Sequence, residues 1–122
     1  MKLNNTFGSQ DFRLSIKDGI PVLKFNMLRA TVNEAKAFKN NLINLIAVNY
    51  RFIIIDFTKC SFIDSSIVGV MLTVVKDLRI SKGDLLAIVL PGTLNSIFEN
   101  TGLDRIFKKF ETLPDALANI NG

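Results

Sequence analysis

Residues 52–70 of the chain read FIIIDFTKCSFIDSSIVGV. The first six are β-branched or aromatic apart from Asp56, which is typical of a strand covered on both faces in a parallel sheet. After a loop through Thr58 to Ile63, apolar residues recur at helical spacing at Val68, Met71, Leu72, Val75 and Leu78. The stretch therefore predicts a central parallel strand, a loop and an apolar helix, and Gly83 suits the end of that helix.

Strand and helix signals alternate along the rest of the chain as well. Upstream, Asp18-Gly19 separates two short apolar runs, which predicts a hairpin of antiparallel strands. Three- and four-residue spacing of apolar residues predicts a helix from Val32 onward. Downstream, the same reasoning predicts a buried strand at Leu85–Leu90, a short helix ending at Thr101-Gly102, an edge strand at Ile106–Phe110 and a last helix near Pro114.

This order of elements predicts the fold class. Repeated strand–helix units imply parallel strands with right-handed crossovers, and the opening hairpin adds an antiparallel strand. We therefore expect a single α/β domain over residues 1–122, with a mixed, mainly parallel sheet and helices packed on it. Its core is expected to include Ile53, Ile55, Val68, Leu72 and Leu85.

Composition excludes several classes of protein. The chain has 122 residues, of which 48% are hydrophobic and 21% charged, the balance of one globular domain and not of a disordered polypeptide. Its longest apolar stretch is far shorter than the roughly 20 residues of a membrane-spanning helix. The 15 basic residues are scattered, so we expect no nucleic-acid partner despite the net charge of +4. The polar amino terminus carries no secretory signal, and we expect a cytoplasmic protein.

The absence of histidine excludes most enzyme chemistry. With no histidine and a single cysteine, Cys60, the chain has no Ser–His or Cys–His pair, no histidine-containing metal site and no internal disulfide. Glycine-rich nucleotide-binding motifs are also absent. We expect Cys60 to be a buried structural thiol, and the carboxylates of Asp56 and Asp64 not to form a catalytic pair. The sequence thus predicts neither an enzyme nor a cofactor or metal site.

Three polar residues, Asp64-Ser65-Ser66, lie between apolar segments where the loop meets the second helix; we call them the serine turn. In one interpretation Asp64 or Ser65 only caps the helix, because a side-chain oxygen accepts a hydrogen bond from a free amide of the first turn. In the other, a serine hydroxyl is a phosphate acceptor, because a helix amino terminus offers unpaired amides and a positive dipole to an anion. Capping is the commoner use of such residues, and the pattern alone leaves both interpretations open.

Three segments together resemble a STAS domain, in particular the stand-alone bacterial anti-sigma factor antagonists. They are Ile55-Asp56-Phe57, residues 62–70 (FIDSSIVGV) and residues 101–107 (TGLDRIF). The similarity extends over about residues 12–117. It implies a regulator of transcription in a partner-switching pathway, whose partner is an anti-sigma factor or serine protein kinase, with a serine phosphatase as a further partner. It also implies phosphorylation of Ser65, with Ser66 as the second choice.

The resemblance further implies a partner-binding surface around the serine turn. We expect this surface to comprise Asp64, Ser65, Ser66, Ile67, Val68, Arg29 and Thr31. Two positions differ from the family: Ile67 stands where glycine is common, and Arg29 or Thr31 stands where an acidic residue is usual. A partner would have to accommodate the bulk of Ile67. These differences favour an alternative, in which the chain is an unphosphorylated STAS scaffold or accessory subunit of a signalling or lipid-transport complex.

Overall fold

The computed structural model describes residues 11–121. Within them the strands are β1 (Phe12–Lys17), β2 (Ile20–Phe25), β3 (Arg29–Ala30), β4 (Phe52–Asp56), β5 (Phe62–Ile63), β6 (Asp84–Ile88) and β7 (Lys108–Phe110). The α-helices are α1 (Val32–Ala47), α2 (Ser65–Ile80), α3 (Thr93–Thr101) and α4 (Leu113–Asn121), and a 3₁₀ turn spans Leu103–Arg105. In the described part of the chain, no helix is both long and apolar enough to cross a membrane.

The main sheet has five strands in the order β1-β2-β4-β6-β7. Strand β1 pairs antiparallel with β2, and every other neighbouring pair is parallel. The turn between β1 and β2 is made by Asp18 and Gly19, both with positive φ, at 53° and 79°. The predicted hairpin, the central position of β4 and the edge position of β7 are therefore confirmed, as is the mixed, mainly parallel α/β fold.

A second, two-stranded sheet joins β3 to β5. It is parallel, and it aligns Arg29 with Phe62 and Ala30 with Ile63. The sequence predicts a loop over Thr58 to Ile63, so this pairing is a correction. A strand of two residues carries no alternation of apolar and polar side chains, and its pairing depends on a partner more than thirty residues away.

Hydrophobic cores lie on both faces of the main sheet. Alternate residues of the central strands point to opposite faces, because side chains alternate along a strand. Ile53, Ile55 and Leu85 join the larger core with residues of α1, α2 and α3. Ile54 and Leu86 join the smaller core, which α4 covers. The three strand residues predicted to lie in the core are each fully buried.

The buried side of α2 differs from the prediction. Its buried residues are Ile67, Met71, Val74, Val75 and Leu78, whereas Val68 and Leu72, predicted for the core, are only half-buried at its margin. The prediction is right for Met71, Val75 and Leu78 and wrong for Val68 and Leu72. Apolar residues occupy both sides of the first half of this helix, so periodicity alone could not decide which side faces the sheet.

The role of Gly83 near the end of α2 also differs from the prediction. The helix ends at Ile80, and the left-handed residue that follows is Lys82, at a φ of 65°. Gly83 is required for another reason, because a Cβ added there would lie 1.7 Å from the carbonyl oxygen of Arg51. The glycine thus permits close contact with the residue that precedes β4, and β6 begins immediately after it.

Candidate functional site

Asp64 is the amino-terminal cap of α2. Its backbone is extended, at φ −102° and ψ −177°. Its Oδ1 atom accepts hydrogen bonds from the amide of Ser66 at 3.0 Å and from the amide of Ile67 at 3.2 Å. Of the two caps that the sequence left open, the structure therefore has Asp64 and not Ser65.

The same carboxylate also binds the start of α1. The amide of Val32 donates to Oδ2 of Asp64 at 3.0 Å. Thr31 caps α1 in a capping box, in which the backbone amide of Thr31 donates to Oε1 of Glu34 at 2.8 Å. The spacing Thr-x-x-Glu is a sequence signal for such a box. The amino termini of α1 and α2 thus meet on one aspartate, and this junction was not predicted.

The two serines of the serine turn differ in exposure. Ser65, the first residue of α2, is exposed, whereas Ser66 is half-buried. Within the described residues, neither hydroxyl makes a hydrogen bond, since Asp64 supplies the cap. Ser65 therefore presents an unengaged hydroxyl to solvent at a helix amino terminus. Ser66 instead lines a groove between α1 and α2, beside Gly69 and Val70.

The small sheet brings Arg29 and Thr31 to the same edge as the serine turn. The amide of Asp64 donates to the carbonyl of Ala30 at 3.2 Å, which extends the pairing of β3 and β5 to the first cap residue. Arg29 is exposed, and its guanidinium carbon lies 4.1 Å from the centre of the Phe62 ring. This cation–π contact holds a positive charge near the start of α2.

Ile67 and Val68 do not share the exposure of Ser65. Ile67 is 0% exposed and belongs to the larger core, so its side chain offers a partner no contact surface in this structure. The structure therefore does not place the Ile67 side chain on the surface where a partner is expected to bind. Val68 is half-buried at the margin of the same core. The exposed part of the expected surface is formed by Ser65 and Arg29, with Thr31, Asp64 and Ser66 half-buried beside them.

Electrostatics favour an anion at this junction. The amino termini of α1 and α2 each contribute the positive end of a helix dipole at this junction. The carboxylates of Asp64 and Glu34 already neutralise part of this positive potential by accepting amide hydrogen bonds. A further negative group on Ser65 would lie in the favourable field of the helices and beside the carboxylate of Asp64, so it would alter the surface charge without dismantling the cap.

The side chains of Cys60 and Asp56 make hydrogen bonds to nearby backbone groups. Cys60 is 6% exposed and its thiol donates to the carbonyl of Phe62 at 3.3 Å, so the expectation of a buried thiol is confirmed. Burial raises the pKa of the Cys60 thiol above its ordinary value, and the hydrogen bond to Phe62 opposes this effect. Asp56 accepts the amide of Thr58 at 2.8 Å. Within residues 11–121, no three His, Cys, Asp or Glu side chains are grouped to hold a metal ion.

The family of the chain follows from its sequence. Residues 12–116 match the STAS domain family, and the chain belongs to it because the match covers most of its length.

Solved structures share the fold over most of their length. A candidate anti-sigma factor antagonist from Thermotoga maritima has a TM-score of 0.84 at 23% identity, covering 91% of this chain and 95% of that one. An anti-sigma factor antagonist from Mycobacterium paratuberculosis has a TM-score of 0.81 at 19% identity, over 91% and 93%. Phosphorylated SpoIIAA from Bacillus has a TM-score of 0.64 at 21% identity, over 89% and 98%. At these identities the likeness shows the fold.

Proposed function

We propose that the chain is an anti-sigma factor antagonist that acts in the cytoplasm by partner switching. In its unmodified form it binds an anti-sigma factor or related serine kinase through the serine turn and Arg29. Phosphorylation of Ser65 releases that partner, and a serine phosphatase restores the binding form. The observation that carries the proposal is the exposed, unengaged hydroxyl of Ser65 at the first position of a capped helix.

The geometry supports Ser65 over Ser66 as the acceptor. A kinase must reach the hydroxyl oxygen, and Ser65 is exposed whereas Ser66 is half-buried against α1. Asp64 fixes the first turn of α2 by two hydrogen bonds, so the Ser65 side chain projects from a rigid backbone. The serines are not needed as caps, which weakens the alternative in which capping is their only role.

The comparisons support a role of the same kind. SpoIIAA, an anti-sigma factor antagonist with this fold, has been solved in an unphosphorylated and in a phosphorylated form. A phosphate adds roughly −1.5 to −2 charges at neutral pH. Next to Asp64, such a charge would repel an acidic or closely packed partner while the helix amino terminus tolerates it. Release would then follow from altered surface charge and would require no refolding.

Phosphorylation is tested with a candidate anti-sigma serine kinase from the organism that encodes this chain. The protein is incubated with the kinase and ATP, and phosphate is mapped by mass spectrometry on the wild type, Ser65→Ala and Ser66→Ala. We expect label on the wild type and Ser66→Ala and none on Ser65→Ala. Phosphate that is still found on Ser65→Ala would mean that another residue is the acceptor. No label from a kinase active on another substrate would favour the unphosphorylated scaffold.

Binding is tested separately by calorimetry with the same kinase. Ser65→Asp should weaken binding by at least about tenfold, equal to 1.4 kcal/mol, because it places a charge where the partner docks. Ser96→Asp is the matched control, since Ser96 is also exposed but lies on α3. Equal weakening by both variants would mean that net charge, and not the serine turn, governs binding.

A further inference from the structure

A groove lies at the carboxyl ends of three neighbouring strands, apart from the exposed hydroxyl of Ser65. Its volume is about 480 Å³, within the range of cavities that hold small molecules. The loops that follow β2, β4 and β6 line it, and these strands are adjacent in the sheet. Crevices outside the carboxyl ends of parallel strands are a usual place for ligands in α/β folds.

The lining of this groove is mainly apolar. Phe57 and Leu94 are buried at 1% and 4% exposure. Leu28 and Leu90, from loops on opposite sides of the groove, are 71% and 45% exposed. When an apolar group covers large side chains that are exposed to this extent, the free energy falls. An occupant therefore needs an apolar body.

The described residues that line the groove carry a positive charge. Among residues 11–121, Lys59 is the only charged residue that lines the groove, and it is exposed. Within the described residues, the ion pairs that the structure contains involve Arg79, Asp84 and Lys108, so no carboxylate neutralises the Lys59 ammonium. The first turn of α3 also borders the groove at Thr93 and has no side-chain cap. An occupant that complements this lining carries a negative group.

We propose that the groove binds a single-chain anionic amphiphile, with its apolar chain against Leu28 and Leu90 and its carboxylate beside Lys59. The volume of about 480 Å³ lies in the range of pockets that hold small molecules, so there is room for a chain of about ten carbons. This binding is independent of Ser65 and of any protein partner.

The first experiment is calorimetry of the full chain with three probes. Decanoate has the chain and the negative head, decyltrimethylammonium has the same chain with a positive head, and acetate has the head without the chain. We expect saturable one-to-one binding of decanoate with Kd below about 1 mM, and at least about tenfold weaker binding of the other two. Equal affinity for the two decyl probes, equal affinity for acetate, or no saturable binding of decanoate would overturn the proposal.

Variants place the binding in the groove. Leu28→Gln should weaken decanoate binding, and Lys59→Gln should reduce the preference for decanoate over decyltrimethylammonium by about threefold, as expected for an exposed ion pair. Ile80→Gln is the control, because Ile80 is 81% exposed but lies at the end of α2, outside the groove. Equal weakening by Leu28→Gln and Ile80→Gln would refute the site. Binding seen only after deletion of residues 1–10 would assign the groove to that segment and also overturn the proposal.

Discussion

At the scale of single residues, Asp64 holds the junction of two helices. Its two carboxylate oxygens accept three amide hydrogen bonds, two from α2 and one from α1. A single aspartate cap contributes about 1 kcal/mol, and hydrogen bonds to a charged group contribute more than neutral ones. The residue therefore stabilises the fold and also sets the position of Ser65.

Replacement of Asp64 tests this double role. Asp64→Ala should lower the free energy of unfolding in urea by about 2 kcal/mol, because amides at both helix termini lose their acceptor. Asp64→Asn should cost less, since its single carbonyl oxygen can still cap α2. Ser65→Ala is the control and should change stability by less than about 0.5 kcal/mol. A loss in Ser65→Ala equal to that in Asp64→Ala would contradict the assignment of the cap.

The sequence predicted this residue only in part. Asp64-Ser65-Ser66 between apolar segments was enough to place a helix start, but Asp and Ser have similar capping preference, so the cap stayed open between Asp64 and Ser65. The hydrogen bond to Val32 joins residues 32 positions apart, and local sequence carries no signal for such a contact. Spacing alone likewise gave no reason to place Ile67 in the core and not on the surface.

At the scale of elements, two glycines have opposite roles in and after α2. Gly83 meets the backbone of Arg51, whereas a Cβ at Gly69 would have nothing within 4 Å. Gly83→Ala should therefore destabilise the protein by about 3 kcal/mol, because a backbone carbonyl must move. Gly69→Ala should stabilise it by about 0.5 to 1 kcal/mol, because alanine favours the helix interior.

Thermal or urea unfolding of both glycine variants checks this contrast. The two substitutions add the same methyl group, so each serves as the control of the other. A stabilised Gly83→Ala protein would contradict the close contact between Gly83 and Arg51. A destabilised Gly69→Ala protein would mean that the open space beside α2 is filled in solution.

The choice of which side of α2 faces the sheet gives a further prediction at this scale. Ile67→Ala should cost about 2 to 5 kcal/mol, because Ile67 is fully buried and its loss leaves a cavity. Val68→Ala removes fewer atoms from a half-buried position, so it should cost clearly less. Urea unfolding of the two neighbours compares them directly. A larger loss in Val68→Ala would support the orientation that spacing alone predicted.

At the scale of the whole molecule, the alternation of strands and helices was the feature that the sequence predicted best. Long runs such as Ile53 to Ile55 and the regular spacing in α1 predicted the mixed sheet and its helices. The pairing of β3 with β5 and the placing of α4 on the opposite face depend on contacts between distant residues. Such contacts follow from how the two cores fill, which a local pattern does not encode.

The two cores share the central strand, and this sharing predicts one cooperative unit. Ile55 points into the larger core under α1, α2 and α3, and Ile54 points into the smaller core under α4. Both side chains are fully buried, so Ile55→Ala and Ile54→Ala should each lower stability by about 2 to 5 kcal/mol. Because α4 rests on strands that belong to both cores, each variant should still unfold in a single transition.

Urea unfolding followed by far-ultraviolet circular dichroism and by the fluorescence of Tyr50 distinguishes one unit from two. Tyr50 packs against the larger core, so it reports on that side of the sheet, whereas circular dichroism also senses α4. Coincident curves at lower midpoints are expected for both variants. If Ile54→Ala lost helical signal at low urea while the Tyr50 midpoint stayed at its wild-type value, α4 would unfold separately. The larger core would then be stable without the smaller one, and residues 11–121 would not form one cooperative domain.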